Sequence, residues 1–465
     1  MRVRNDDTIC AISTAAGQGG IAVIRVSGPS ALEFSKKIIP KLNQIELKTH
    51  HAYLADVFDH SKNKVDEAVV TYFANGKSFT GEEVVEISCH GSTYISQKIL
   101  DLLIESGCFL AERGEFTFRA FMNNRIDLIQ AESVLSLIQS QNELSAKIAL
   151  RQLDGHVSKS FDLIESDLIW CLAHIEASID FSTEGIDVVD INVLIEKLKS
   201  IHQQIQKINA TYNAGKILKE GVKLVLLGIP NAGKSSLLNL LVQEEKAIVT
   251  EVAGTTRDII EAQTQFAGVS FRISDTAGLR ETRDQIEQIG VDRSKKEALK
   301  ADVLCVVVAM DDQPQWAPTL ALAEAIKVSK TIYLISKVDL FQNYQADEMR
   351  KKLQSFDHQI DPNNIIFTSH VDSDTRSRVL TKAKEIVGDL SYLDQAVISS
   401  SRQYEGAKYC AQMIEKAVAD LETNVGAEFV AMFLKEALIS LQRILGKVYD
   451  DQIMDRVFKE FCLGK

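Results

Sequence analysis

Apolar positions along the chain follow three successive patterns. Residues 1 to about 119 mix short β-type runs with turns. IAVIRVSG (21–28) and EVVEISCHG (83–91) are rich in Val and Ile and bounded by glycine, so each predicts a strand. Gly17, Gly19 and Gly20 lead into the first, and Thr80-Gly81 leads into the second. This texture predicts an α+β domain. From about 120 the spacing changes. Leu144, Ile148, Val157, Phe161, Ile164, Leu168, Cys171, Ile175 and Ile179 keep mostly three- and four-residue steps, the apolar stripe of long helices. Leu194, Leu198, Ile201, Ile205 and Ile208 continue it, and no turn signal fixes every break. At Gly221 the pattern changes again. VKLVLLG, FRISDTAG, DVLCVVVA and TIYLIS are short apolar strands alternating with helical segments, the βαβ rhythm of a parallel sheet. Near 390 this fades. Helical spacing returns with Ala407, Ala411, Ile414, Val418 and Leu421, then Val430, Phe433, Ala437, Leu441, Ile444 and Val448.

A helical block on either side of the α/β segment predicts one bundle with an α/β domain inserted in it, because the two ends of a domain often lie close together. The expected division is an N-terminal α+β domain, 1–119; the first part of an all-α helical domain, 120–217; an inserted α/β domain, 218–388; and the second part of the helical domain with a CLGK tail, 389–465. At about 150 residues per domain, 465 residues suit three domains.

Composition narrows the classes. Fifty-two basic against 64 acidic side chains give a net charge of −12, with no general attraction to nucleic acid or anionic membrane. That leaves room for a local basic patch, so RNA stays among the partner classes. The longest apolar run, Val303 to Met310, is far short of the ~20 residues a bilayer span needs. MRVRNDDTIC places charges where a signal peptide needs apolar residues. The seven cysteines (10, 89, 108, 171, 305, 410 and 462) form no C-x-x-C pair and no zinc-site spacing, and read as reduced thiols in a cytosol.

Candidate chemistry concentrates in the α/β segment. GIPNAGKS (228–235) fits G-x-x-x-x-G-K-[ST] between a predicted strand and a predicted helix. Gly228 and Gly233 let the backbone curl so that N–H groups, including those of Asn231, Ala232 and Ser236, face phosphate oxygens. Lys234 places a point charge on the β- and γ-phosphates, and Ser235 offers a hydroxyl to Mg²⁺. GTTRD (254–258) follows, where Thr256 can reach the metal and sense the γ-phosphate. In DTAG (Asp275, Thr276, Ala277, Gly278), Asp275 ends a strand near the metal and the Gly278 N–H can meet the γ-phosphate. SKVD (Ser336, Lys337, Val338, Asp339) follows the strand TIYLI. Asp339 there can accept two hydrogen bonds from guanine that adenine cannot donate, which discriminates against ATP. The usual Asn of N-K-x-D is replaced by Ser336, whose hydroxyl can bridge to the P-loop with fewer hydrogen bonds. The last base-contacting segment falls near Thr368, Ser369 and His370.

Activation of water is less direct. Ras-like enzymes place Gln just after D-x-x-G, and here that position is Leu279. Glu281, Asp284 and Glu287 follow, and any of them can orient a water or remain a solvated loop charge. Arg257, Arg280, or a cation beside Asn231 can supply transition-state charge.

NAGKSSLLN, GTTRD, DTAGLRET and the terminal CLGK, with GGIAVIRVSG, SFTGEEVVEISCHG and GEFTFRAFMNNRIDLIQAESV, resemble the MnmE (TrmE) family of potassium-activated tRNA-modification GTPases across essentially the whole chain. The resemblance implies a homodimer built through an N-terminal domain that binds tetrahydrofolate (5-formyl or 5,10-methylene), a helical domain split in sequence and an inserted G domain. It implies K⁺ held by Asn231, Thr250, Val252 (backbone) and Thr255, Mg²⁺ held by Ser235 and Thr256, and Glu287 as the water-orienting residue, with Lys234, Asp275 and Thr256 completing the catalytic set. It implies a folate site at Arg25, Glu86, Arg125 and Lys465. Cys462 is then either a thiol near the folate or a half-buried apolar residue beside Phe461; Gly464 and Lys465 do not suit a prenylation signal. The implied activity is cytoplasmic: GTP hydrolysis coupled, with the FAD-dependent partner MnmG in a heterotetramer, to carboxymethylaminomethyl or aminomethyl modification of a tRNA wobble uridine. The competing class is a ribosome-assembly or regulatory GTPase switch without modification chemistry.

Overall fold

The computed structural model describes residues 7–180, 190–242, 261–275, 295–326, 328, 330–341, 344–388, 396–423, 426–449, 451–461 and 464. The chain forms two compact units. One comprises residues 1–138, 149–206 and 405–465; the other comprises 139–148 and 207–404.

The first unit contains a six-stranded sheet: β1 (Ile9–Ile12), β2 (Ile21–Ser27), β3 (His51–Phe58), β4 (Lys64–Phe73), β5 (Val84–His90) and β6 (Phe109–Leu110), in the order β3-β4-β5-β2-β1-β6. Only the β1–β6 pairing is parallel. Alternation along the strands gives the sheet one apolar face. Helices Ala31–Ile38 and Thr93–Ser106 cover it, packing Ile38, Ile99, Leu102 and Leu103 with Ile24, Val26, Val57, Val85 and Ile87. The register sets Arg25 of β2 directly opposite Glu86 of β5. Both strands read from the sequence are present, and β3, β4 and the two covering helices add to them.

The predicted helical stripe becomes helices Glu143–Leu153 and His156–Asp180. The break between them falls at Gly155, whose φ of +79° ends the first helix. Val157, Phe161, Ile164, Leu168, Cys171 and Ile175 are buried, and helix His156–Asp180 packs on helix Ala427–Leu445. Val430, Ala437, Leu441 and Ile444 line the buried side of the latter. Val448 departs from the periodic reading: the helix stops at Leu445, Gly446 turns left-handed, and Val448 is 40% exposed.

The second unit is a doubly covered sheet of β7 (Val222–Leu227), β8 (Glu261–Phe266), β9 (Val269–Asp275), β10 (Val303–Ala309), β11 (Thr331–Ser336) and β12 (Ile365–Phe367), ordered β12-β11-β10-β7-β9-β8. Every pairing is parallel except β8–β9. The antiparallel edge was not in the periodic reading; it is a hairpin closed at Ala267 and Gly268, both with positive φ (48° and 79°). Strand β10 is buried at every position, as a central parallel strand must be when helices cover both faces. Alternate residues divide between two cores. Leu224, Cys305 and Val307 pack with Leu237, Leu241 and Leu380 of helices Lys234–Val242 and Asp374–Val387. Val225, Leu304 and Val306 pack with Trp316 and Leu320 of helix Trp316–Ile326. Near the two ends of its 207–404 stretch, Tyr212 stacks on Tyr404 with centroids 4.3 Å apart, and Thr211 Oγ1 accepts the Ile398 N–H at 3.2 Å. Among the described residues, no helix is long and apolar enough to cross a membrane.

Candidate active site

The P-loop follows β7 and opens helix Lys234–Val242. Its path is fixed by sterics. A side chain at Gly228 would bring Cβ to 2.5 Å from the Val307 carbonyl of neighbouring β10. Asn231 (φ 62°) and Gly233 (φ 92°) turn left-handed, which curls the loop back over the helix start. Lys234 is 3% exposed, and its ammonium donates to the Gly228 and Ile229 carbonyls at 2.8 and 2.7 Å. Burial pushes its pKa down, opposed in part by the charge of Asp275. A buried cation facing carbonyl dipoles is a group that gains from an incoming phosphate.

Ser235, on the first turn of the helix, donates from Oγ to Asp275 Oδ2 at 3.0 Å. Asp275 is the last residue of β9 and is buried. A hydroxyl and a carboxylate held this close beside a phosphate cradle are the hard oxygen donors that Mg²⁺ takes from protein. Ala232, in the loop before the helix, is buried, and Ser236, in the helix's first turn, is exposed.

The base-reading loops are stitched to this cradle. Ser336 Oγ, at the end of β11, donates to the Ala232 carbonyl at 2.6 Å. Lys337 takes a left-handed φ of 61° and its ammonium pairs with Asp311 at 2.8 Å. Asp339 sits in the short 3₁₀ turn Val338–Leu340. The Val338 N–H donates to the Thr368 carbonyl at 3.4 Å, and the Thr368 N–H donates to Ile335 O at 2.8 Å. These bonds bring residues 368–370 beside Asp339, where His370 Nδ1 lies 3.8 Å from Asp339 Oδ2. Ser369 is buried, and its N–H donates to Thr375 Oγ1 at 3.3 Å. Asp311 and Thr375 escaped the sequence reading, since an acidic residue after a strand and a threonine in a helix's first turn are common anywhere.

The other candidate residues of this domain, Thr250, Val252, Thr255, Thr256, Arg257, Thr276, Ala277, Gly278, Leu279, Arg280, Glu281, Asp284 and Glu287, lie outside the described residues, as do Cys462 and Lys465.

In the first unit, Arg25 Nε and Nη2 both reach Glu86 Oε1, at 2.8 and 2.7 Å. The guanidinium lies 5.6 Å from the Phe116 ring centroid, and Nη1 points to the Gly464 carbonyl at 3.5 Å. The tail is fitted closely here: a Cβ on Gly464 would fall 2.5 Å from the Ile12 carbonyl. Arg125 is exposed, with its stem against the Gly81 turn, where an added Cβ would meet its Cγ at 3.2 Å. A buried network that the sequence reading missed pins the turn leading into β5. Arg119, 3% exposed, binds Glu82 at 3.0 Å and Glu115 at 2.9 Å. Ser27 Oγ donates to Glu82 Oε2 at 2.6 Å, and Asn123 donates to the Thr80 carbonyl at 2.7 Å. The Glu115–Arg119 spacing of four residues on one helix was its only visible trace.

The cradle, Asp275, Ser336 and the 368–370 loop all stand at the carboxyl ends of parallel strands, where open α/β sheets form their ligand crevice. Fold and site together define a P-loop GTPase. The family model for the MnmE helical domain matches residues 128–462, and that for the GTP-binding protein TrmE N-terminus matches residues 8–125. The chain is 45% identical to the tRNA modification GTPase MnmE of Bdellovibrio bacteriovorus, over 99% of this chain and 98% of that one. It is 35% identical to the protein of the same name from Alkaliphilus metalliredigens, over 99% of each. Among solved structures, the G domain of the T. maritima FeoB iron transporter aligns with 36% of this chain and 98% of its own, at 25% identity and a TM-score of 0.28. The chain belongs to the MnmE (TrmE) family of tRNA modification GTPases, and it is a GTP-hydrolysing enzyme.

Proposed function

We propose that this GTPase acts in the cytoplasm as a homodimer, with an FAD-dependent MnmG-type partner in a heterotetramer, to install a carboxymethylaminomethyl or aminomethyl group at carbon five of a tRNA wobble uridine. The observation that carries the nucleotide half is the buried Lys234 ammonium in a glycine-bent loop, tied through Ala232 to Ser336 beside the base reader Asp339. The tRNA half rests on the family relationship. The four-part division at 119, 217 and 388 belongs to the same proposal.

Within it, Lys234 binds the β- and γ-phosphates, Asp339 accepts the guanine edge, and Ser369 supports the base loop. Ser235 and Thr256 would hold Mg²⁺, which supplies neutralising charge at the bridging oxygens; the Ser235–Asp275 pair suits such an ion. Asn231, Thr250, Val252 and Thr255 would hold K⁺, which supplies the charge an arginine finger brings elsewhere. Exposed Asn231, turned left-handed at the rim of the cradle, is the one of these four among the described residues. Glu287 orients the attacking water.

Arg25, Glu86, Arg125 and Lys465 would hold a tetrahydrofolate derivative (5-formyl or 5,10-methylene), the source of the one-carbon unit. The residues suit it. Both Arg25 contacts fall on Glu86 Oε1, which leaves Oε2 to accept from a pterin amino group, and the cations can pair with a glutamate tail. The test is nucleoside analysis of tRNA from a strain lacking the gene. Loss of the wobble modification, restored by the intact chain and not by Lys234→Ala, supports the proposal; normal tRNA in the deletion strain overturns it.

A further inference from the structure

Arg376, in the first turn of helix Asp374–Val387, reaches two places that are far apart in sequence. Its Nε donates to the Leu241 carbonyl at 3.1 Å, in the last turn of the helix that follows the P-loop. Its Nη2 donates to Thr264 Oγ1 and to the Gln265 carbonyl, each at 3.1 Å, on β8. The guanidinium also lies 5.7 Å from the centroid of the Phe266 ring. Leu241 and Thr264 flank the chain segment that carries GTTRD. One planar cation therefore joins the structure just before that segment to the structure just after it. The neighbouring Thr375 receives the Ser369 N–H of the base loop, so a single helical turn binds both the base loop and the two flanks.

We propose that Arg376 is a positioning residue for GTP hydrolysis. It fixes the separation and orientation of the two flanks, the points from which the segment carrying GTTRD departs and to which it returns. Holding the ends of a loop removes conformations that the catalytic arrangement would otherwise have to exclude, and a misplacement of ~1 Å at a reacting centre can cost ~100-fold in rate. Guanine and β-phosphate binding use the cradle and the Asp339 loop, whereas Arg376 binds Leu241, Thr264 and Gln265. Its loss should therefore fall on turnover rather than on affinity. This inference rests on reading GTTRD as a switch.

The experiment compares the full chain with Arg376→Ala and Arg376→Lys, measuring kcat at saturating GTP with K⁺ and Mg²⁺, and the Kd of fluorescent N-methylanthraniloyl-GDP. Arg376→Ala should lose about tenfold or more in kcat, with less than about a threefold change in Kd. Arg376→Lys should recover part of the loss, because an ammonium can serve one flank but not span both. A kcat within about twofold of the parent, or a Kd that weakens as much as kcat falls, overturns the proposal. If Arg376→Ala does not fold, Thr264→Val decides: kcat falling about threefold at unchanged Kd supports the role, and unchanged kcat rejects it. Lys234→Ala run alongside separates the two levels, since hydrolysis surviving in that variant would discredit the nucleotide site itself.

Discussion

The Ser336 hydroxyl donates to the Ala232 carbonyl at 2.6 Å, so the residue where the motif usually carries Asn still anchors the base-reading loop to the phosphate cradle. Both groups are buried, and Ser336 Oγ also lies 3.3 Å from the Val308 carbonyl. Ser336→Ala leaves the Ala232 carbonyl without that donor, at a cost of about 1 kcal/mol, or roughly fivefold in GDP affinity. Calorimetric titration reads it directly, and an unchanged Kd would mean that the bridge is incidental.

Asp339→Asn converts a double acceptor into a group with one acceptor and one donor, which matches xanthine better than guanine. Hydrolysis should shift toward xanthosine triphosphate by about tenfold or more relative to GTP. Competition between the two nucleotides measures it, and retained preference for GTP would remove SKVD as the base reader.

Replacing K⁺ with Na⁺ at equal ionic strength should depress GTP hydrolysis by about tenfold or more while leaving GDP binding in place, because the cation is proposed to act at the transition state. Equal rates in the two salts would dispose of the role given to Asn231.

Arg25→Ala removes the cation between Glu86 and the tail. Binding of a reduced folate should weaken by about tenfold, with GDP affinity untouched. Fluorescence titration with 5-formyltetrahydrofolate is the measurement; a normal titration curve would void the proposed folate site.

Glu297 accepts from Lys223 at 2.7 Å and from Lys300 at 3.0 Å, and its side chain is 13% exposed. The Lys223 hydrogen bond holds its carboxyl below the ordinary range. A lowered folded-state value means that the stabilisation is fully present above the ordinary carboxylate pKa and is lost as pH falls through the folded one. Glu297→Gln should therefore cost about 1–2 kcal/mol at pH 7 and progressively less below about pH 4. Urea midpoints at the two pH values check the sign; an equal deficit at both would assign the effect to packing.

What could be read from the chain in advance follows from how local each signal is. The P-loop was legible because its glycines, lysine and serine are contiguous and flanked by a strand and a helix. Asp275 and Asp339 were legible because each ends or follows a strand visible in the sequence. Apolar spacing located the helices from Val157 to Ile175 and from Val430 to Ile444, yet overran Gly446 and placed Val448 on an inward side it does not occupy. Arg376, Asp311 and Arg119 were not legible. Their distant partners are 111 to 135, 26, and 37 positions away in sequence, and nothing in a single chain says which remote group a given side chain will meet. Hairpin β3–β4 hid for a related reason: its strands mix polar and apolar residues on a sheet with one open side.

The stacked rings of Tyr212 and Tyr404, with the Thr211 clasp beside them, set the two ends of the stretch that carries the whole β7–β12 sheet side by side. A few flexible residues could therefore join those neighbours directly, and the chain could be opened at an exposed turn elsewhere in the stretch, without changing the order of the strands.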